Sequence, residues 1–231
     1  PFADLIAFSY FTSCFQDGPA RAAPARADNV IGGGDWSLDR IVPVCARAWA
    51  EGRPVAIRSP WATRPWQHVL EPLSGYLWLG ARLLREAEQT AEKQGLTGPD
   101  CASESFNFGP PADVNATVEQ VATELARHWP GFLLDMDRDG HGQKHESTLL
   151  KLCCDKALAY LGWKPALNLE ESIAFTADWY KQYYELHNGK AGDMGEGGFA
   201  EKSADAMYAC TVRQIAAYAA KAAKGGLIWT G

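Results

Sequence analysis

The chain has 231 residues, a formal net charge of -6 and 47% apolar residues, enough length for one or two domains and enough apolar material for a core. Its 9 Trp, 8 Tyr and 9 Phe are too many for a chain that stays solvated. The acidic balance argues against a nucleic-acid or anionic-membrane surface, and no apolar run approaches the length of a transmembrane helix.

Asp4 to Phe15 is apolar and predicted helical. Pro1-Phe2-Ala3 starts inside that pattern, without an initiator Met or a charged region ahead of an apolar core, and so reads as the middle of something longer. Ala22 to Val30 is predicted as a short strand leading into Gly32-Gly33-Gly34. Glycines after a strand permit φ > 0 and bring backbone N–H groups close to an anion. As a dinucleotide fingerprint, Gly32-x-Gly34-x-x-Ser37 lacks its third glycine and any upstream βαβ unit. Ser37 is expected to cap a helix from Leu38 to about Ala50, with Ile41, Val42, Cys45, Ala48 and Trp49 inward.

Residues 54–58 form a brief strand that delivers Arg58 into the most distinctive stretch of the chain, Arg58 to Leu79. Arg58 and Arg64 are interleaved with Pro60, Pro65, Trp61 and Trp66. The prolines stiffen the backbone and keep it extended, which holds two guanidinium forks ready for phosphate oxygens. No acidic residue lies between Glu51 and Glu71, so this is a basic patch in an acidic protein. Two surface arginines packed on tryptophans is the plain alternative. Gln67 to Leu70 is a second extended piece, and Pro72 in a first turn opens a long helix. Leu73, Leu77, Leu84 and Ala87 are assigned to its buried face, and Arg82, Arg85, Glu86 and Glu88 to its solvated one.

Residues 104–108 alternate as a strand stopped by Gly109-Pro-Pro. Thr117 with Gln120, and later Asn168 with Glu171, are capping-box signatures. Pro130 to Lys144 is expected as a loop and 148–152 as a strand. Asp155 is expected to cap a short helix closed by Gly162. Residues 188–206 are Gly-rich and polar, a linker signature, and 207–231 recover helical periodicity. Strands alternating with helices give the α/β class. The six cysteines (14, 45, 101, 153, 154 and 210) show no framework spacing, which favours a reducing compartment, the cytoplasm or an organellar matrix or stroma, over secretion. No metal site is expected, since there is no Cys-x-x-Cys and His141 and His145 sit in a loop.

The Asn29-Val-Ile-Gly-Gly-Gly-Asp-Trp-Ser-Leu-Asp-Arg-Ile-Val-Pro43 segment, Arg58 to Leu79, Phe106-Asn-Phe-Gly-Pro110, His145 to Leu152 and Leu161-Gly-Trp-Lys-Pro165 together resemble the CDP-glucose 4,6-dehydratase family. These are nucleotide-sugar lyases of the extended short-chain dehydrogenase/reductase superfamily. The resemblance runs from about Asp4 to Tyr184 and matches the family's C-terminal half: an incomplete NAD(P)-binding Rossmann-like sheet plus a small substrate-binding domain. It implies an internal redox dehydration. NAD+ takes hydride from the sugar C4, a Tyr–Lys pair handles the hydroxyl proton, carboxylates expel water across C5–C6, and the hydride returns to C6. It also implies that the glycine fingerprint and the Tyr-x-x-x-Lys motif lie ahead of residue 1. Neither is expected within this sequence, so this chain alone would bind no NAD and hold no catalytic residue.

What the resemblance leaves to this chain is the substrate. Asn29 would bond phosphoryl and sugar groups, and Arg64 and the loop at Gly33 would meet the pyrophosphate. Arg40 would lie near base and ribose, with Arg58 and His68 in the arginine stretch. Glu146 would accept a ribose hydroxyl. A turn residue and a solvated glutamate remain the alternatives for Asn29 and Glu146. The organisation expected is a dehydratase-like body over 1–187, a linker over 188–206, and a helix and tail over 207–231. Three roles fit: the CDP-glucose-holding half of an enzyme completed by an N-terminal domain or protein partner, a nucleotide-sugar-binding module without turnover, or a non-catalytic subunit of a larger assembly.

Overall fold

The computed structural model describes residues 2–14, 20–57, 59–92, 95, 98–102, 104–111, 114–136, 153–187 and 201–230. The elements run α1 (Phe2–Cys14), β1 (Ala25–Ala27), β2 (Val30–Ile31), α2 (Ile41–Ala50), β3 (Val55–Ile57), β4 (Thr63–Arg64), β5 (Gln67–His68) and α3 (Leu70–Ala91). After these come β6 (Phe106–Phe108), β7 (Ala116–Thr117), α4 (Val118–His128), β8 (Leu134–Met136), α5 (Asp155–Leu161), α6 (Leu169–Leu186) and α7 (Glu201–Lys224). It is an α/β fold with only short sheets. β1 pairs parallel with β6, β2 with β5 and β3 with β8, while β4 and β7 are antiparallel with Arg64 opposite Ala116.

Two apolar cores hold the elements. The larger gathers Val42, Cys45, Val55, Ile57, Val121, Leu125, Trp129, Ile173 and Tyr180, so that α2, α4 and α6 pack around β3. The smaller lies between α3, α5 and β6, on Phe106, Phe108, Leu161 and Trp163. Gly75 of α3 is needed there, because a Cβ at that position would stand 2.2 Å from the Phe108 ring. Both capping boxes form: Thr117 and Gln120 close the start of α4, and Asn168 and Glu171 that of α6, each pair exchanging side-chain and backbone bonds.

Several expectations need correction. The faces assigned to α3 hold only in part: Arg85 and Glu88 are exposed as expected, but Leu73, Leu77 and Leu84 are exposed too, whereas Glu86 is buried. The reason is hydrogen bonding, because the Glu86 carboxylate accepts the Cys101 backbone N–H at 3.1 Å. Asp155 is the first residue of α5 rather than its cap, and β8 occupies a segment read as loop. The strand expected at 148–152 lies outside the described residues, as do 188–200 of the expected linker. Residues 201–206 already belong to α7. That helix is not an appendage, since Met207 and Cys210 enter the larger core.

Candidate functional site

The β1–β2 corner turns at Asn29, the one described residue other than glycine with positive φ (45°). Asparagine tolerates that region better than most residues, but it is uncommon enough to mark the position. Beyond β2 the chain makes the Gly32–Gly34 turn and a loop fastened from several sides. The Tyr180 hydroxyl donates to the Asp35 carbonyl at 2.5 Å, and Arg47 donates to the carbonyls of Trp36 and Ser37. Trp36 packs among Trp179, Tyr180, Tyr183 and Tyr184.

The loop delivers α2 with an open N-terminus. Ser37 does not cap it. The Ser37 N–H instead donates to the Asp35 carboxylate at 3.0 Å, the N-cap position falls on Arg40, and no side chain caps the helix. The first N–H groups of a helix have no intrahelical partner, and a terminus left in that state attracts anions.

Asn29, Gly32, Asp35, Asp39, Arg40, Ile41, Val42, Pro43, Arg64, Trp66 and Val118 line one cleft of about 460 Å³. Three of the residues singled out from sequence, Asn29, Arg40 and Arg64, thus come together. Arg64 is set by the β4–β7 pair, the following Trp66 indole donates to the Ala116 carbonyl at 3.1 Å, and the Arg64 guanidinium donates to the Thr63 carbonyl at 2.8 Å. Arg40 reaches back to Asp35 at 3.1 Å. Burial raises the Asp35 pKa, but bonds from Ser37 and the Arg40 charge outweigh it and hold the carboxyl below the usual range.

Gly33 and His68 do not line this cleft, and the structure gives each a packing role in place of the expected contact. A Cβ at Gly33 would stand 2.1 Å from the Trp179 ring, so the glycine admits the indole. His68 is buried edge-on against Phe175, 5.5 Å between ring centroids. Its Nδ1 accepts the Leu70 N–H, which leaves the proton on Nε2. Burial lowers its pKa to about 4, so it is neutral. Arg58 and Glu146 lie outside the described residues.

A larger cavity of about 1040 Å³ opens on the other side of Trp66, between α4 and the 165–172 segment. It is lined by Glu119, Glu124 and Glu170, and its one arginine, Arg127, is paired with Glu124. Its carboxylates, Glu71 among them, outnumber that arginine four to one, whereas the smaller cleft sets Arg40 and Arg64 beside Asp28, Asp35 and Asp39 and adds the open start of α2, so the smaller cleft is the candidate site. Sequence reasoning missed what the start of α2 contributes, because Ser37 masks it with a plausible cap.

One spelling of Tyr-x-x-x-Lys does occur, Tyr160 to Lys164, against expectation. Such a pair must share a helix face, and here Gly162 (φ 62°) ends α5 between the two residues. Tyr160 instead packs edge-on against Phe106.

The α/β fold, with only short sheets, matches about half of each of several extended short-chain dehydrogenase/reductase structures. It is similar to UDP-glucose 4-epimerase from Thermotoga maritima, with a TM-score of 0.57 and 19% identity over 78% of this chain and 52% of that one. It is similar also to dTDP-glucose 4,6-dehydratase from Bacillus anthracis, with a TM-score of 0.56 and 15% identity over 81% and 52%. In sequence the chain resembles CDP-glucose 4,6-dehydratase of Salmonella typhimurium, 38% identical over 190 residues. That match covers 78% of this chain and 48% of the relative, so the chain spans about half the relative's length. No family model matches the chain.

Proposed function

We propose that this chain holds a nucleoside diphosphate sugar, CDP-glucose in the first instance, in the smaller cleft. The observation that carries the reading is the convergence of Arg64, Arg40, Asn29 and the uncapped start of α2 on one cavity. Arg64 and the α2 N–H groups take the diphosphate, and the Asn29 carboxamide bonds a phosphoryl or sugar oxygen. Among the described residues, one feature supports a chain that leaves NAD to other groups. The glycine turn is covered by Trp179 and opens no helix until Ile41, unlike a dinucleotide fingerprint. On this reading the chain binds substrate, while hydride and proton transfer need groups supplied from elsewhere.

Calorimetric titration of CDP-glucose into wild type and Arg64→Ala tests the proposal. Binding that weakens at least tenfold in the variant, about 1.4 kcal/mol, supports it. Turnover of CDP-glucose by the chain alone with NAD+ would overturn the division of labour. A second reading, a non-catalytic subunit of a larger assembly, is favoured by the exposed Leu77 and Leu84 of α3 and Leu5 and Phe8 of α1. It prevails if wild type has no affinity for nucleotide sugars.

A further inference from the structure

Gln67 is 3% exposed and does not line the candidate cleft. Its hydrogen bonds nevertheless converge on the corner that carries Asn29. Its backbone N–H donates to the Asn29 carbonyl at 3.3 Å. Its side-chain Nε2 donates to the Asp28 carbonyl at 3.1 Å and to the Phe108 carbonyl at 2.8 Å. Both side-chain partners are carbonyl oxygens, so only the amino end of the amide can face them, and the orientation of the group is fixed by chemistry.

The Asp28 carbonyl belongs to the peptide plane before Asn29, and the Asn29 carbonyl to the plane after it. The φ and ψ of Asn29 are the rotations of those two planes about one Cα. A residue that grips both carbonyls therefore sets both angles. The Asn29 N–H, bonded to the Asp28 carboxylate at 2.9 Å, adds a third restraint. The outcome is the left-handed backbone of Asn29 (φ 45°), and with it the direction in which the Asn29 side chain leaves the chain. The bond to Phe108 ties this corner to β6 and the smaller core.

From this geometry we infer that Gln67 is a positioning residue for Asn29: it holds the corner in a left-handed turn so that the Asn29 carboxamide meets the ligand in the cleft. The ligand half of this statement rests on the function proposed above; the conformational half does not.

The test uses the full chain as wild type, Gln67→Leu, Asn29→Ala and the double variant. Gln67→Met, close in length and without a donor, serves if Gln67→Leu does not fold. Affinity for CDP-glucose is measured calorimetrically beside the urea midpoint. Gln67→Leu should weaken binding at least tenfold, and the double variant should bind no worse than Asn29→Ala, because Gln67 acts through Asn29. Affinity unchanged by Gln67→Leu, or losses that simply add, would leave Gln67 a structural residue and overturn the inference. Backbone couplings of Asn29 by NMR supply the ligand-free readout. Loss of the positive φ in the Gln67 variants supports the inference and its retention overturns it, even where wild type binds no nucleotide sugar and the proposed function fails.

Discussion

Tyr218 of α7 donates a hydrogen bond of 2.8 Å to the carboxylate of Glu71, 147 positions earlier in the chain. Glu71 is 1% exposed, and among the described residues no ion pair is formed by its carboxylate. Its other partners are the backbone N–H groups of Ala166 and Leu167, at 3.0 and 2.7 Å. Three segments distant in sequence thus meet on one buried carboxylate. Tyr218→Phe leaves the shape and removes one donor, and a bond to a charged group contributes about 1.5–3 kcal/mol. A fall of that size in unfolding free energy is expected from urea denaturation, and an unchanged midpoint would refute it.

Glu71 also sets a pH dependence. Burial raises its pKa above 4.5, against the lowering effect of the bonds from Leu167, Tyr218 and Ala166. A carboxyl whose folded pKa lies above its unfolded one binds its proton more tightly when folded. Its contribution to stability therefore falls as pH rises from about 4.5 through the raised folded value. Subtracting the stability curve of Glu71→Gln from that of wild type should leave a difference that declines across this window. A difference rising with pH would reverse the assignment.

Two glycines of α3 should respond oppositely to alanine. At Gly75 the added methyl meets the Phe108 ring at 2.2 Å, while at Gly80 nothing lies within 4 Å. Gly75→Ala is expected to cost about 1–3 kcal/mol by overpacking. Gly80→Ala should stabilise by about 0.8–1 kcal/mol through helix propensity. Thermal denaturation of the two variants side by side decides the matter.

Asp35 competes with any anion for Arg40, to which it is paired at 3.1 Å. If the cleft holds a diphosphate, Asp35→Asn should tighten CDP-glucose binding about two- to fivefold, the range of an exposed ion pair. The gain should shrink as salt is added. Weaker binding in the variant would mean that Asp35 orients Arg40 rather than restraining it.

All six thiols are free. Cys14 and Cys153 are exposed, whereas Cys45, Cys101 and Cys210 are buried, and burial pushes the pKa of Cys45 and of Cys101 up to about 12. A thiol reagent at neutral pH should find two cysteines quickly, the half-buried Cys154 slowly, and the other three only on unfolding. More than two fast-reacting thiols in the native chain would contradict this packing.

Much of this was legible in local chemistry. Thr117 with Gln120, and Asn168 with Glu171, announce their helices because each capping box is complete within four residues. The arginine stretch stood out for the same reason, since its prolines and charges are neighbours in sequence. What stayed hidden depends on partners far along the chain. Glu86 read as solvated because nothing nearby shows the Cys101 N–H that buries it. Ser37 read as a cap because Asp35 was not seen to claim its N–H. His68 and Gly33 were assigned to ligand, since neither Phe175 nor Trp179 can be foreseen from their surroundings.

The pairings β1–β6, β3–β8 and Glu71–Tyr218 all join residues that leave the ribosome far apart in time. At roughly 5–20 residues per second, Glu71 waits on the order of ten seconds for the hydroxyl that completes its shell. Until α7 emerges, the nascent chain carries that carboxylate with one donor missing and the larger core without Met207 and Cys210. Synthesis therefore leaves a long window in which Glu71 is made but its shell is incomplete, and α7 closes it.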